Sequence, residues 1–189
     1  NLSNLEHIKV ADIGGEVDWK NILKDVSCII HCAGKAHEMN RKNDINSYRL
    51  VNTEGTKILA EHAIKNGVKR FIFLSSLKVN GENSKKINNK NSLFNNNEKP
   101  NPQDFYAKSK LEAEKVLWEI SLKCNLEVVV LRLPLVYGHG AKGNLSRLIK
   151  LINTGIPLPF GLIENKRSLI GIDNLIDILI NCIDNPMAT

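Results

Sequence analysis

Three short runs of apolar, mostly β-branched residues lie along the chain, at residues 26–33, 70–75 and 126–133. None of them alternates polar with apolar side chains, which is typical of strands in a parallel sheet covered on both faces. The segments between them, residues 44–66 and 103–123, carry apolar residues at helical spacing. This alternation of strands and long helices predicts an α/β fold with a doubly wound parallel sheet.

Local signals mark where the helices begin and end. Asn66 and Gly67 close the first long helix, a pair typical of helix C-termini. Two further helices are predicted at residues 144–153 and 173–184, the second with Asp173 as its N-cap. Residues 79–102 are rich in Asn, Lys and Ser and lack periodicity, so we expect a long surface loop there.

The amino-acid composition and net charge exclude some classes of function. The 189 residues are 42% hydrophobic and 24% charged, enough apolar material for one sizeable core. The net charge of +6 comes from basic residues spread along the chain, and aromatic residues make up only 5%, so nucleic acid is not predicted as a partner. We find no apolar run long enough to span a bilayer and no secretory signal, so we predict no membrane association and a cytoplasmic location.

The four cysteines do not indicate a metal site. They form no CxxC pair and no zinc-like cluster with histidine, so no metal ion is predicted. Cys28 and Cys32 lie in an apolar run, where small buried hydrophobic residues are the simpler interpretation.

Candidate functional residues follow the predicted strands, because ligands of open α/β sheets bind beyond the carboxyl ends of the strands. Ala33, Gly34 and Lys35 come after the first run, and Ser75 and Ser76 end the second. Small residues at 33 and 34 would let a flat or phosphorylated ligand approach the backbone, although a tight turn explains them equally well.

The sharpest candidate is the segment YAKSK, which contains Tyr106 and Lys110. Residues four apart on a helix share a face, one turn apart. A phenol, with a pKa near 10, is a poor base at neutral pH, but a nearby ammonium stabilises the phenolate and lowers that pKa. We therefore expect Lys110 to make Tyr106 a usable acid or base. Such a pair also arises by chance, and it gains weight here because a serine hydroxyl at the end of the second strand could bind the same substrate oxygen.

Six stretches, in this order, resemble the extended short-chain dehydrogenase/reductases, the NAD-dependent epimerase/dehydratase group that acts on sugar nucleotides: VADIGG, IIHCAGKA, VNTEGTKILAEHA, KRFIFLSSLKVNGE, YAKSK and LRLPLVYGHG. The resemblance implies a Rossmann-like dinucleotide-binding domain at residues 1–140 and part of a substrate-binding lobe at residues 141–189. The family's first Gly-rich unit, which holds the cofactor pyrophosphate, has no counterpart here. We therefore expect a chain truncated at both ends that binds dinucleotide poorly by itself.

The resemblance also implies roles for single residues. Tyr106 would be the acid/base, Lys110 its pKa modulator and a ligand of the nicotinamide ribose, and Ser76, rather than Ser75, the hydrogen-bonding partner. The remaining cofactor contacts would come from Asp12, Ile13, Ala33, Gly34, Lys35, Asn52 and Pro134. The substrate diphosphate would lie at Asn144, Leu145 and Arg167. A guanidinium at residue 167 can grip phosphate oxygens in a bidentate manner, or it can simply be a solvated cation.

Departures from the family pattern bear on the reaction. Leu77 and Lys78 follow Ser76 where dehydratases of the family carry Asp-Glu, which disfavours 4,6-dehydration. Asn80 replaces a usual Tyr. Leu135 stands where many epimerases have Asn, which favours the reductase-like branch.

The resemblance therefore implies an enzyme that uses NAD or NADP and acts at C4 of a UDP-linked hexose. It would be either a 4-epimerase or a 4-keto reductase such as those of polysaccharide synthesis, and it is compatible with a homodimer. The alternative is a non-catalytic dinucleotide-binding or protein-interaction module on the same scaffold, since fold does not fix function. The complete set of Ser76, Tyr106 and Lys110 argues against that alternative.

Overall fold

The computed structural model describes residues 6–10, 13, 15, 17–36, 44–82, 86–87, 90–91, 98–140, 144–155, 157 and 166–189. Its strands are β1 (Cys28–His31), β2 (Arg70–Ser76), β3 (Lys86–Ile87), β4 (Lys90–Asn91), β5 (Glu127–Leu133), β6 (Leu135–Tyr137) and β7 (Leu169–Gly171). Its α-helices are α1 (Trp19–Ile22), α2 (Ile45–Tyr48), α3 (Gly55–Lys65), α4 (Phe105–Lys123), α5 (Asn144–Ile152) and α6 (Ile172–Asp184). A π-helical turn, Arg49–Glu54, joins α2 to α3, and 3₁₀ turns occupy Leu77–Val79 and Pro186–Ala188.

The main sheet has three parallel strands in the order β1–β2–β5. In the centre, β2 pairs with β1 on one side and with β5 along its whole length on the other. The connection from β1 to β2 runs through α2 and α3, and the connection from β2 to β5 runs through α4. The predicted parallel α/β sheet is confirmed, and all three strands end at one edge, where ligands of such sheets bind.

Helices cover both faces of this sheet. On one face the rings of Phe71 and Phe73 belong to a core shared with α3 and α4: Trp19, Leu23, Leu59, Ala60, Ala63, Val68, Phe71, Phe73, Ala113, Leu117, Leu126 and Val128. On the other face, Ile72 and Val129 cluster with Cys182 of α6. Helix α6, which falls in the predicted substrate lobe, therefore packs on the main sheet, and the division at residue 140 stays a prediction. Among the described residues, no helix is both long and apolar enough to cross a membrane.

The two long helices lie close to where periodicity places them. The segment expected at residues 44–66 is α2, the π turn and α3 in succession, starting after the N-cap Asp44 and ending at Asn66. The next residue, Gly67, has a φ of 74°, which glycine adopts without steric cost. The second helix, α4, follows the N-cap Asp104.

Three local predictions need correction, and one strand pair was not expected. Asp173 is not an N-cap: β7 runs directly into α6, Gly171 precedes the helix, and Asp173 lies inside its first turn. The predicted loop contains the short antiparallel pair β3–β4. The parallel pair β6–β7 was not expected, because three-residue strands give no readable periodicity. Cys28 is only half-buried and Cys32 is exposed, since the latter follows the last residue of β1.

Arg70 of β2 connects the sheet to the end of α6 through hydrogen bonds. This buried guanidinium donates from Nη1 to the carbonyl oxygens of Cys182, Ile183 and Asn185 at 2.8, 2.9 and 3.0 Å. Its Nε donates to Glu127 of β5 at 2.7 Å. The last carbonyls of a helix have no partner within the helix, so Arg70 satisfies groups that burial would otherwise leave unpaired.

His31, the last residue of β1, is held in the core as a neutral ring. It lies 5.7 Å from the ring of Phe73, and its Nε2 is 3.0 Å from the hydroxyl of Thr56. That hydroxyl donates its one hydrogen to the carbonyl of Asn52 at 2.7 Å, so Nε2 must carry the proton and donate. Burial, and secondly the ammonium of Lys110, lower the pKa of His31 to about 4.

We predict that Arg70→Met lowers the free energy of unfolding of the full-length protein by about 3 kcal/mol, because three helix-end carbonyls lose a charged donor. Urea unfolding followed by circular dichroism measures the loss. Glu127→Gln is the control: it removes a partner that is largely solvent-exposed, so we expect a loss of about 1 kcal/mol or less. Equal losses in the two variants would show that the carbonyl contacts of Arg70 contribute nothing.

A second prediction concerns acid. The pKa of His31 is lowered in the fold, so the unfolded chain takes up the proton first, and stability falls as the pH drops from about 6.5 to about 4. Between pH 7 and pH 5 this group alone should remove about 2 kcal/mol. His31→Gln, which keeps a donor for Thr56, should make the free energy of unfolding less dependent on pH by that amount. An unchanged slope would mean that His31 titrates normally.

Candidate active site

A serine and a tyrosine hydroxyl meet at the carboxyl edge of the sheet. Ser76 is the last residue of β2, Tyr106 lies in the first turn of α4, and a side-chain hydrogen bond joins them. The backbone N–H of Lys78 also donates to Ser76 Oγ at 3.3 Å. Ser75 turns elsewhere and donates to the carboxylate of Glu114. Of the two serines, the structure therefore brings Ser76 to the tyrosine.

Lys110 lies one turn beyond Tyr106 on α4, and its side chain is only 3% exposed. Its Nζ donates to the carbonyl oxygen of Leu74 in β2 at 2.9 Å and stands 4.5 Å from the ring centroid of Phe73. Burial lowers the pKa of Lys110 to about 8, although nearby Cys32 and Glu114 act in the opposite direction. An ammonium with this pKa can lose or keep its proton near neutral pH.

The pKa of Tyr106 does not follow the sequence prediction. It is raised above the usual value for a phenol, first of all because burial disfavours the phenolate. The hydrogen bond with Ser76 lowers the pKa, but desolvation, with the carboxylate of Asp104 acting in the same direction, outweighs it. The expected lowering of the Tyr106 pKa is therefore not found in this structure, in which the lysine ammonium donates to the carbonyl of Leu74.

The loop after β1 packs tightly against these residues. A Cβ at Gly34 would lie 3.1 Å from Nζ of Lys110 and 3.2 Å from Oδ1 of Asn52. Asn52 accepts from the backbone N–H of Lys35 at 2.6 Å, and its Nδ2 donates to the Lys35 carbonyl at 3.1 Å and to Ser109 Oγ at 2.9 Å. Asn52 is fully buried and holds this loop through these hydrogen bonds, and its contact with the cofactor stays a prediction.

Of the four other predicted cofactor contacts, the structure describes three. Asp12 lies outside the described residues. Ile13 is partly buried against the core beneath the sheet, and half-buried Pro134 lies between β5 and β6, at the same edge as Ser76. Ala33 is half-buried in the loop after β1.

The predicted diphosphate ligands belong to other segments of the chain than the hydroxyl pair. Asn144 begins α5, but its side chain lies outside the described residues, and Leu145 is half-buried in the same helix. Arg167 is exposed just before β7 and forms no hydrogen bond or ion pair within the described part of the chain. Their contact with a substrate stays a prediction.

Sequence reasoning missed an ion pair beside the site. Arg132 of β5 donates from Nη2 to Glu114 Oε2 at 2.6 Å and from Nε to Oε1 at 3.0 Å, and its Nη1 donates to Asn80 at 3.1 Å. Two signals were present: Glu114 lies four residues after Lys110, on the same helical face, and Arg132 is a charged residue that directly follows the apolar stretch 128–131 of β5. The pairing itself depends on how α4 lies across the sheet.

This arrangement suits proton exchange with an alcohol or a ketone. Two hydroxyls can hold one substrate oxygen, and the phenol can give or take its proton. The loop after β1 places Gly34 and its backbone at the edge of the sheet where α/β proteins bind nucleotide cofactors.

Comparison with known proteins gives the same assignment of fold. UDP-glucose 4-epimerase from Vibrio cholerae is 45% identical over 183 residues, which is 95% of this chain and 55% of that protein. An N-acetyl-α-D-glucosaminyl-diphospho-ditrans,octacis-undecaprenol 4-epimerase from Escherichia coli O157:H7 is 32% identical over 70% of this chain and 38% of that protein. The chain thus spans about half of the first relative and less of the second.

A solved structure of similar fold is UDP-glucuronic acid 4-epimerase from Bacillus cereus in complex with NAD, with a TM-score of 0.78, 24% identity, and coverage of 94% of this chain and 56% of that one. The NAD dependent epimerase/dehydratase family profile matches residues 1–189 in full. The chain therefore belongs to the NAD dependent epimerase/dehydratase family.

Proposed function

We propose that the full-length protein is an NAD-dependent 4-epimerase of a UDP-linked hexose, with Tyr106 as its acid/base. The observation that carries the proposal is the hydrogen bond between Ser76 and Tyr106 at the edge of the sheet, with Lys110 one turn further along α4. The 45% identity to a UDP-glucose 4-epimerase supports the choice of reaction and sugar.

The residues present fit a dinucleotide beside the hydroxyl pair. Gly34 has no side chain, and a Cβ there would lie only 3.1 Å from Nζ of Lys110, so the glycine lets the backbone of the loop approach the ammonium closely. An ammonium has three donors, and the Leu74 carbonyl takes one of them, which leaves capacity for ribose hydroxyls. When bound, NAD would accept a hydride from C4 and return it.

In this proposal, each side chain has one task. Ser76 holds the C4 oxygen, and Tyr106 takes or gives its proton. Lys110 stabilises the negative charge that develops on the phenol oxygen. Asn144, Leu145 and Arg167 would bind the diphosphate, the last through its guanidinium.

Two related reactions fit less well. Dehydration requires a carboxylic acid that Leu77 and Lys78 cannot supply. Reduction of a 4-keto sugar is the second candidate, because Leu135 stands where many epimerases have Asn. The two candidates differ in stoichiometry, since epimerisation returns its hydride and reduction consumes one equivalent of NADH or NADPH.

The first test is therefore turnover by the full-length protein. We expect it to convert UDP-galactose to UDP-glucose with catalytic NAD and no added reductant, as followed by chromatography of the sugar nucleotides. Turnover only of a 4-keto sugar nucleotide, with matched loss of NADPH absorbance, would favour the reductase. Absence of both reactions, with retained dinucleotide binding, would favour the non-catalytic module.

The second test addresses Tyr106. Tyr106→Phe removes only the phenol oxygen, so kcat should fall by about 10²- to 10⁴-fold while KM for UDP-galactose stays unchanged. Tyr137→Phe removes a hydroxyl from an exposed tyrosine of β6 and should leave kcat unchanged. A Tyr106→Phe enzyme with normal kcat would exclude the acid/base role.

A further inference from the structure

Glu114 is a buried carboxylate that the proposed reaction does not use. It lies on α4, four residues after Lys110 and eight after Tyr106, and it is 2% exposed. Residues at this spacing share one helical face. The carboxylate therefore belongs to the side of α4 that also carries the two proposed reacting groups.

The partners of Glu114 come from the strands on which the site is built. Ser75 of β2 donates to it, and Arg132 of β5 makes the bidentate ion pair. Arg132 also reaches Asn80, just after the 3₁₀ turn that follows Ser76. One carboxylate thus ties α4 directly to β2 and β5, and through Arg132 to the turn after the catalytic serine.

Such a contact fixes geometry more strictly than apolar packing does. Moving a buried carboxylate away from its donors leaves an uncompensated charge. A bidentate ion pair between a guanidinium and a carboxylate also tolerates little rotation of either group. Ser75 and Ser76 are adjacent in β2, so a displacement of Ser75 also displaces Ser76.

We propose that Glu114 is a positioning residue: by binding Ser75 and Arg132 it sets the distance between the hydroxyls of Ser76 and Tyr106. The kinetic part of this inference rests on the proposed function. The geometric part does not, because it concerns only the hydrogen bond between the two hydroxyls.

The chain contains a matched control for this ion pair. Arg70 and Glu127 form another guanidinium–carboxylate pair between β2 and β5, at 2.5 Å, but at the opposite end of the same strands. If Glu114 only stabilised the fold, Glu114→Gln and Glu127→Gln would differ only in how much stability they remove. If it positions the site, only Glu114→Gln should change the reaction.

The experiment measures kcat and KM for UDP-galactose, the melting temperature, and a crystal structure for both variants of the full-length protein. In Glu114→Gln we expect kcat to fall between about tenfold and a hundredfold, with KM unchanged, since small misplacements of reacting groups cost rates of this order. The crystal structure should show the hydrogen bond between Ser76 and Tyr106 broken or lengthened. Glu127→Gln should keep both kcat and this hydrogen bond while lowering the melting temperature.

If Glu114→Gln does not fold, Ser75→Ala carries the same expectation, because it removes a single hydroxyl from the network and keeps the ion pair. An intact hydrogen bond between Ser76 and Tyr106 in the folded variant overturns the positioning role, whatever its activity. An equal loss of kcat in Glu127→Gln overturns it as well. A wild-type protein without epimerase activity overturns the proposed function instead, and the two crystal structures still decide the role of Glu114.

Discussion

The desolvation of the polar side of α4 is the constraint on which the site depends. Ser109, Lys110 and Glu114 all point into the protein, where an unpaired polar group is costly. Each has a partner on another element: Asn52 in the π turn, the carbonyl of Leu74 in β2, and Arg132 in β5 respectively. Because all three pairings must form together, they fix the position of α4 against the sheet. In this position Tyr106 lies beside Ser76, the last residue of β2.

Much of this could be predicted from the sequence, because the signals are periodic and local. Continuous apolar runs indicated the three parallel strands, and the 3.6-residue pattern indicated α3 and α4. Since ligands of such sheets bind beyond the carboxyl ends of the strands, the candidate residues were sought after β1 and β2, and Gly34 of the first group packs against Lys110 of α4. The family resemblance favoured Ser76 over Ser75, and the structure gives a physical reason, because Ser75 is already bound to Glu114.

The rest depends on contacts between segments that are far apart in the chain. Two such contacts are the ion pair of Arg132 with Glu114 and the hydrogen bonds of Arg70 to the end of α6. They depend on how the helices cross the sheet and on the register of the strands, and neither can be read from a sequence. Burial is likewise a property of the whole fold: Cys32 lies in an apolar run and is nevertheless exposed. The same limit applies to the pKa of Tyr106, since a nearby ammonium can be recognised from spacing but desolvation cannot.

The two pKa shifts in the site have one cause and a common consequence. Burial raises the pKa of Tyr106 and lowers that of Lys110, so it opposes the charged form of each group taken singly. Under the proposed function, a phenolate formed beside an ammonium would be penalised less than a phenolate alone, because in a medium of low polarity their attraction offsets part of the loss of water. The neutral phenol can give a proton to a ketone, whereas taking one from the C4 hydroxyl in the proposed epimerase requires the phenolate, the form that burial alone disfavours.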